Sequence, residues 1–307
     1  MALHDRRTAH VQTTFVCSGK CIHCLYPRCM HSQYHGTMSD AVFQTVLDRL
    51  ASLTLDTVYP CLENEPFADP AIFERADALF NTCNALWLKF TTNALLLDAK
   101  KRKQLALLLE GKNHEIQIIF HGTQKEHYTR VMGIPFSESL ENVLGLLLLA
   151  QDAELHVTVC CAGQGPAGSL FQNYSCSKEA FFLFWESLFR KHNIRKRPRM
   201  RYRPYLDRTG SSLHRSGIHM LPPIREDLKT LHCLRVPEHL HVLHTGELVL
   251  CSMDYERGTL FGNLMQNDLA GIFSSEAWNL LSDSARGLRA TPYDFLCKRC
   301  LYPERAM

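Results

Sequence analysis

The sequence has no apolar run long enough to cross a membrane. Its longest uninterrupted apolar-type segment is Val143–Ala150, whereas a spanning helix needs about 20 such residues. The N-terminal residues are rich in charge and contain no apolar signal segment. The sequence also has little excess of one charge over the other, because the formal net charge is only +3 over 307 residues. Such a small excess gives no reason to expect a nucleic-acid partner. We therefore expect a cytoplasmic protein with no membrane association.

Cysteine, by contrast, is abundant, with 13 residues in the chain. In a cytoplasmic protein, metal binding or redox chemistry explains such a number better than disulfides do. Two groups have the spacing of ligands, namely Cys17, Cys21 and Cys24, and then Cys233, Cys251, Cys297 and Cys300. The remaining cysteines show no such spacing and are Cys29, Cys61, Cys83, Cys160, Cys161 and Cys176.

Strand-like runs alternate with helix-like runs over the first two thirds of the chain. The predicted strands are Thr13–Val16, Thr57–Cys61, Ala85–Thr91, Glu115–Phe120, Leu155–Cys161 and Arg199–Tyr205. The predicted helices begin after Ser39 and Asp69 and lie near Lys100–Leu109, Ser137–Ala150 and Phe181–Phe189. This alternation predicts an α/β fold, a partial (β/α)6 TIM-like barrel over residues 1–205, with its reactive end at the C-terminal edges of the strands.

The character of the sequence changes after Tyr205. Residues 206–232 contain Gly, Ser, His and two adjacent prolines, which is typical of a linker. Residues 233–307 form a small C-terminal unit, with a predicted hairpin at His239–Val249 that turns at Thr245-Gly246 and a predicted helix at Leu269–Leu281. A unit of this size needs more than a hydrophobic core, so we expect a metal or a cluster to stabilise it.

The first cysteine group reads Cys17-Ser-Gly-Lys-Cys21-Ile-His-Cys24 and follows the first predicted strand. Three thiolates can hold three irons of a [4Fe–4S] cube and leave the fourth iron open. An open iron can bind the amino and carboxylate groups of S-adenosylmethionine (SAM). The alternative is a structural zinc site, which His23 or Cys29 could complete as fourth ligand.

This motif resembles that of the radical SAM superfamily. The superfamily's Gly-Gly-Glu-Pro segment after the second strand corresponds here to Glu63-Asn64-Glu65-Pro66, which keeps the glutamate and the proline but neither glycine. Thr92-Asn93 follows the third strand, as in the usual Thr-Asn-Gly, and His121-Gly122 follows the fourth. The resemblance implies that Glu65, Pro66, Asn93 and His121 contact SAM. It also implies reductive SAM cleavage, which yields a radical able to take hydrogen from an unactivated C–H bond.

The second cysteine group ends in Cys297-Lys-Arg-Cys300. Together with the predicted hairpin and Gly262-Asn263, it resembles a Twitch domain, the shortened form of the SPASM extension of radical SAM enzymes. The resemblance implies one auxiliary [4Fe–4S] cluster, and therefore two clusters in the chain. Four thiolates saturate such a cube, so it would relay electrons or hold structure. A structural zinc site with four cysteine ligands is the alternative.

Three further features bear on the substrate. Arg208-Thr-Gly occupies the place of a substrate-contacting motif in butirosin-type aminocyclitol (2-deoxy-scyllo-inosamine) dehydrogenases, although a solvated arginine is an equal alternative. Those enzymes have an aromatic and an acidic residue after the second auxiliary cysteine, where this chain has Ser252 and Met253 before Asp254. The aminocyclitol substrate is therefore not carried over.

Cys160 and Cys161 end the fifth predicted strand, one facing inward and one outward by alternation. An inward thiol could return a hydrogen atom to a substrate radical, although a buried small hydrophobic residue is the ordinary alternative. The basic run Arg190–Arg203 could attract an anionic substrate, a carrier or RNA, or could be a solvated helix end and an exposed strand edge.

The sequence thus predicts a radical SAM oxidoreductase or epimerase that acts on a polar metabolite. We expect a small-molecule or peptide substrate and a reductant such as flavodoxin or ferredoxin. One alternative is a radical SAM peptide maturase or epimerase. Another is a zinc-stabilised protein that binds nucleic acid through its basic run. The sequence identifies no general base, and none of its histidines is assigned to a metal.

Overall fold

A computed structural model of the chain describes residues 7–22, 24, 26, 36–163, 176–204, 224–231 and 233–300. The strands in this part of the chain are β1 (Thr8–Val11), β2 (Thr57–Tyr59), β3 (Trp87–Thr92), β4 (His114–Ile119), β5 (Val157–Gly163), β6 (Arg199–Pro204), β7 (His239–Val242), β8 (Glu247–Val249) and β9 (Leu260–Asn263). The helices are α1 (Asp40–Leu50), α2 (Ile72–Thr82), α3 (Ala99–Leu109), α4 (Lys125–Met132), α5 (Phe136–Asp152), α6 (Lys178–Lys191), α7 (Arg235–Glu238), α8 (Leu269–Ser274), α9 (Glu276–Ala285) and α10 (Leu296–Arg299).

All these strands belong to one sheet in the order β6-β5-β4-β3-β2-β1-β7-β8-β9. Pairing is parallel from β6 through β1 to β7, and antiparallel from β7 to β9. Six parallel strands in sequence order, connected by helices, confirm the predicted α/β partial barrel. The C-terminal hairpin does not stand apart, because β7 pairs directly with β1 and continues the sheet.

The first strand lies earlier in the chain than predicted. It is Thr8–Val11 rather than Thr13–Val16, since Ala9 and Val11 are fully buried and the strand is paired on both edges. Thr14 forms only an isolated bridge with Thr37. A short irregular segment therefore separates β1 from Cys17.

The helix boundaries show two further differences. Ser39 caps α1 as predicted, by accepting a hydrogen bond from the Val42 N–H. The second helix begins at Ile72, because the Asp69 carboxylate bonds the Ala71 N–H at 3.0 Å instead of capping a helix from Pro70. The predicted helix Leu269–Leu281 is broken at Ser275, whose hydroxyl caps a second helix.

The helices pack against one face of the sheet. On β4, Ile116 and Ile118 are buried in the hydrophobic core that the helices complete, and Glu115 lies on the opposite face. The registers of neighbouring strands carry this alternation across the sheet. We call the opposite face the inner face, and its members on β1 to β7 include His10, Tyr59, Lys89, Thr91, Glu115, Gln117, Thr158, Cys160, Arg199, Arg201, Arg203, His239 and His241.

No single helix among the described residues is long and apolar enough to cross a membrane. The pair α4 and α5 satisfies that test of length and composition only when taken together, and the two helices are bent by 94° where they meet.

Candidate functional site

The loop that carries the first cysteine group rests on the C-terminal end of α4. The N–H groups of Lys20 and Ile22 each donate a 3.0 Å hydrogen bond, to the carbonyls of Met132 and Val131. Carbonyls in the last turn of a helix have no partner within the helix. The loop therefore satisfies these carbonyls, and α4, which the sequence did not reveal, determines where the loop lies.

Gly133 makes this contact possible. It ends α4 in the left-handed region, at φ +67°. A Cβ at this position would stand 2.7 Å from Lys20 Cβ and 3.0 Å from the Lys20 carbonyl oxygen. Only glycine adopts this conformation easily and also leaves room for the cysteine loop.

The thiols of Cys17 and Cys21 lie close to Gly19, and Cys24 is near enough to both to affect their titration. A Cβ on Gly19 would lie 3.5 Å from Cys21 Sγ and 3.7 Å from Cys17 Sγ. Burial raises the pKa of the Cys17 thiol to about 12. Burial also raises the pKa of the Cys21 thiol, and the neighbouring thiols of Cys24 and Cys17 raise it further. Such thiols lose their protons when a metal binds, so this donor set fits an iron–sulfur cluster.

Glu65 is buried beside this loop and holds three hydrogen bonds. Its Oε1 accepts from the Thr92 hydroxyl at 2.6 Å and from the Phe67 N–H at 3.3 Å, and its Oε2 accepts from the Asn93 N–H at 2.9 Å. Burial raises the pKa of Glu65 to about 7, against the lowering effect of these donors, of which Thr92 is the largest. The carboxylate is thus fixed in orientation.

Further contacts join Glu65 and Asn93 to the cysteine loop. The Glu65 N–H donates to the Val16 carbonyl at 3.0 Å, and Asn93 Nδ2 donates to the Ser18 hydroxyl at 3.2 Å. Pro66 begins a single 3-10 turn, Pro66–Ala68, which Glu65 caps. The structure therefore brings together the first three cysteines, Glu65 and Asn93.

His121 lies just beyond the end of β4. Its Nδ1 accepts a 2.9 Å hydrogen bond from the Ala162 N–H on β5. The ring is buried and lies at the end of the barrel where the parallel strands have their C-termini.

The second cysteine group also converges. Cys251, Cys300 and Cys233 each raise the pKa of Cys297, although burial is the largest cause. Burial likewise raises the pKa of Cys251 to about 11, while the Met253 N–H, 3.4 Å from Cys251 Sγ, lowers it. A set of four neighbouring thiols fits a cluster saturated by protein ligands.

Asp254 organises the loop that follows Cys251. Its Oδ2 accepts from the Thr259 N–H at 2.7 Å and from the Thr259 hydroxyl at 2.6 Å, and its Oδ1 accepts from the Gly258 N–H at 3.1 Å. The residue is buried. Asp254 therefore shapes the loop after Cys251.

Aromatic residues connect the two cysteine groups. Phe15 and Tyr26 form a small buried cluster, against which Cys17, Cys24 and Tyr255 pack. The Tyr26 hydroxyl accepts a hydrogen bond from the Cys17 N–H and donates one to the Phe15 carbonyl. Tyr255 belongs to the loop after Cys251. This loop therefore packs against the same aromatic residues that contact the first cysteine group.

Three histidines and a tyrosine form one side of the inner face. The His10 ring stacks on Tyr59 with ring centroids 4.4 Å apart, and lies 5.2 Å from His241 and 5.5 Å from His239. One ligand atom from each histidine lies within 4.8 Å of the other two, so the trio could hold a metal ion. Burial, followed by His239 and Arg235, lowers the pKa of His10 to about 3, which leaves a neutral ring. The positive charge of Arg235 at this point opposes a bound cation.

The adjacent thiols on β5 face opposite sides. Cys161 belongs to the hydrophobic core, where its Sγ lies 4.0 Å from Cys176 Sγ. Cys160 lies on the inner face opposite Arg201 of β6. Burial raises the pKa of Cys160 to about 11.

Some predicted positions lie outside the described residues, namely Arg208, His23, Cys29 and most of the predicted linker 206–232.

A cavity of about 490 Å³ opens at the end of the barrel away from the cysteines, where Trp87, Lys89 and Arg199 contribute to its lining.

Comparison with known proteins is consistent with this geometry. The family model for SPASM, an iron–sulfur cluster-binding domain, matches residues 233–301. No curated protein matches the chain in sequence. The solved structure of BtrN in complex with AdoMet and 2-DOIA is similar, with a TM-score of 0.59 and 14% identity over 97% of this chain and 93% of BtrN.

Two other structures share the fold. SuiB of Streptococcus suis, bound to its precursor peptide SuiA, has a TM-score of 0.52 and 11% identity over 96% of this chain and 71% of SuiB. Native anSMEcpe with bound AdoMet has a TM-score of 0.51 and 14% identity over 96% of this chain and 88% of anSMEcpe. At these identities the similarity establishes the fold alone. The expected resemblance to a butirosin-type dehydrogenase is therefore confirmed as a resemblance of fold. The chain thus has the fold of SPASM/Twitch-type radical SAM enzymes, and its residues 233–301 match the SPASM iron–sulfur cluster-binding domain.

Proposed function

We propose that this chain is a cytoplasmic radical SAM enzyme that abstracts hydrogen from an unactivated C–H bond of a polar metabolite, with net oxidation or epimerisation. It uses one [4Fe–4S] cluster to cleave SAM and one auxiliary [4Fe–4S] cluster to relay electrons. The proposed ligands are Cys17, Cys21 and Cys24 for the first cluster and Cys233, Cys251, Cys297 and Cys300 for the second.

The convergence of three thiols with Glu65 and Asn93 carries this proposal. The trio fits a cube with one iron free of protein ligands. A metal site with purely structural value has no use for a buried carboxylate oriented by three donors, whereas a ligand with an amino group does. The SAM-bound structures of BtrN and anSMEcpe, which share the fold, support this interpretation.

Each of these residues has a definite task in the proposed reaction. Glu65 keeps lone pairs that can accept hydrogen bonds from the SAM amino group, and the positive charge of that group favours the ionised carboxylate. Asn93 and Pro66 hold the two flanking loops in place. When bound, the cluster and SAM together supply the radical that abstracts hydrogen. A flavodoxin or ferredoxin would provide the reducing electron.

The placement of Cys160 bears on the outcome of the reaction. A hydrogen-atom donor must carry its proton, and a pKa of about 11 keeps this thiol protonated near neutral pH. Cys160 is also on the inner face, whereas Cys161 is in the core. If the enzyme is an epimerase, Cys160 is therefore the better candidate donor. If it is an oxidoreductase, the auxiliary cluster accepts the second electron.

Metal analysis and SAM cleavage test the proposal. Anaerobically reconstituted protein should contain iron and sulfide for two cubes, about eight irons per chain, and should release 5′-deoxyadenosine after reduction. Replacing Cys17, Cys21 and Cys24 by alanine should abolish cleavage and leave about half the iron. Cys83→Ala, at a buried cysteine outside both groups, is the matched control and should keep both. Bound zinc without sulfide would refute the enzyme proposal and favour the zinc-stabilised alternative.

A peptide substrate is the second candidate. The SuiB structure that shares this fold is bound to a precursor peptide. Incubation with peptides encoded near the gene, followed by mass spectrometry, separates this candidate from a small-molecule enzyme.

A further inference from the structure

The inner face of β6 is a row of arginines. Met200 and Tyr202 pack against the hydrophobic core, so the alternate residues Arg199, Arg201 and Arg203 lie on the other face of the strand. The basic composition of this segment is therefore not distributed evenly around the strand. It is concentrated on the inner face of this edge strand, where Arg199 and Arg203 are exposed and Arg201 is partly buried.

The row leads toward the end of the barrel that holds the first cysteine group. Arg201 is paired with Cys160, and Arg203 is paired with Ala162, whose N–H bonds His121. Successive inner residues of a strand are about 6.6 Å apart along its axis. A small molecule that contacts Arg201 or Arg203 is therefore long enough to reach the C-terminal edge of the sheet.

A fourth arginine lies at the other side of the parallel strands, next to β7. Arg235 begins α7, immediately before β7, and donates a hydrogen bond to the Ser252 hydroxyl at 3.4 Å. Burial raises the pKa of the Tyr59 phenol, Glu115 raises it further, and both Arg201 and Arg235 lower it. The charges of arginines from β6 and α7 thus both influence the surroundings of Tyr59 on β2.

The charges on this face do not balance. On β2 to β6 the inner face carries Lys89 and the three arginines but only one carboxylate, Glu115. Glu115 lies 3.5 Å from both Lys89 Nζ and Arg201 Nη2, and it accepts hydrogen bonds from Thr158 at 2.8 Å and Gln117 at 3.1 Å. Four cations against one anion on these strands leave a positive surplus. Lys89 and Arg199 belong to the end of the face that lines the cavity away from the cysteines, and Arg201 and Arg203 lie nearer the cysteine end, where a bound anion would offset their charge.

We propose that the inner face contains an anion subsite, in which Arg201 and Arg203, assisted by Arg235, bind a carboxylate or phosphate group of a small substrate. Guanidinium groups suit these anions because their planar donors match two oxygens at once. The inference rests on the proposed function, since it names the class of substrate: an anionic metabolite, held by its charged group with a C–H bond toward the first cluster.

Titration calorimetry with defined anions tests the subsite. The probes are inorganic phosphate, pyrophosphate and malonate, compared with chloride at the same ionic strength, so that a phosphate site and a carboxylate site are distinguished. The wild-type protein should bind at least one probe, and Arg201→Gln and Arg203→Gln should each weaken that binding at least tenfold. The control Arg195→Gln changes an exposed arginine that lies before β6 and off the inner face, and it should bind as the wild type does.

Two outcomes would overturn the inference. One is a wild-type protein that binds none of the three probes more tightly than chloride. The other is equal binding by Arg203→Gln and Arg195→Gln, which would mean that the arginines of β6 are only solvated side chains on an exposed strand edge. SAM cleavage by the same wild-type preparation is measured separately. Cleavage without anion binding defeats this inference alone, and anion binding without cleavage defeats the proposed function alone.

Discussion

The Thr92 hydroxyl donates a 2.6 Å hydrogen bond to Glu65 Oε1 and thereby ties the end of β3 to the loop after β2. A hydrogen bond to a buried charged group is worth roughly 1.5–3 kcal/mol. We expect Thr92→Val to raise the SAM dissociation constant about tenfold or more, because the carboxylate loses an orienting donor. Thr92→Ser keeps the hydroxyl and should restore binding. Equal affinities for the two variants, measured by calorimetry on reconstituted protein, would contradict the role given to this contact.

Gly133 offers a test of the loop that carries the first cysteines. Gly133→Ala should displace Lys20 and reduce the iron content to about half, because a Cβ would stand 2.7 Å from Lys20 Cβ. Gly111→Ala is a matched control, since Gly111 has φ +70° and no atom within 4 Å of the added Cβ. Both variants bear a left-handed strain of roughly 1–2 kcal/mol, so iron analysis isolates the clash. A full iron complement in Gly133→Ala would show that the loop does not need this contact.

Asp254 should affect only the auxiliary cluster. Asp254→Ala removes three acceptor contacts from the loop after Cys251, so we expect loss of the auxiliary iron while reductive SAM cleavage persists. Asp268→Ala removes a helix-capping carboxylate, which accepts from the Gly271 N–H at 2.7 Å, and should lower stability by about 1 kcal/mol without loss of iron. Iron counts and electron paramagnetic resonance of the reduced proteins distinguish the two results. Loss of the first cluster's signal in Asp254→Ala would refute this assignment.

The two adjacent thiols of β5 should differ in any reaction that returns hydrogen to the substrate. In deuterated water, an epimerase with Cys160 as donor would place deuterium in its product, and Cys160→Ala would abolish that incorporation while Cys161→Ala would not. Since burial raises the pKa of Cys160 to about 11, the thiol stays protonated and incorporation should be constant from pH 7 to 9. Mass spectrometry of the product is the measurement. Incorporation that survives in Cys160→Ala would exclude this donor, and absence of incorporation in the wild type would favour oxidation.

Local patterns predicted much of the fold from sequence. The start of α1 after Ser39 and the turn at Gly246, which has φ +85°, depend on neighbouring residues, and the structure confirms both. Helix α4 was missed because its eight residues are mostly polar and its importance lies in supporting a distant loop. The first strand was placed five residues too late, because only pairing with β2 and β7 distinguishes Thr8–Val11 from the β-branched run that follows.

The candidate site likewise has local features, which the sequence predicts, and long-range features, which it does not. The spacing of the cysteines and the Glu65-Pro66 pair are sequence-local, so their grouping could be predicted. The wall of His10, His239 and His241 could not, because it forms only where β1 and β7, more than two hundred residues apart, lie side by side. The direction of the β6 arginines likewise depends on which face the helices cover.

The parallel pairing of β1 with β7 has a consequence for any attempt to shorten this protein. β1 leads into the first cysteine loop. A chain ending before β7 would leave the backbone donors and acceptors along one side of β1 open to solvent. An open edge of this kind recruits other chains. The SPASM region is therefore built in as the edge protection of the barrel, and its removal should yield a protein that aggregates instead of a smaller enzyme that lacks one cluster.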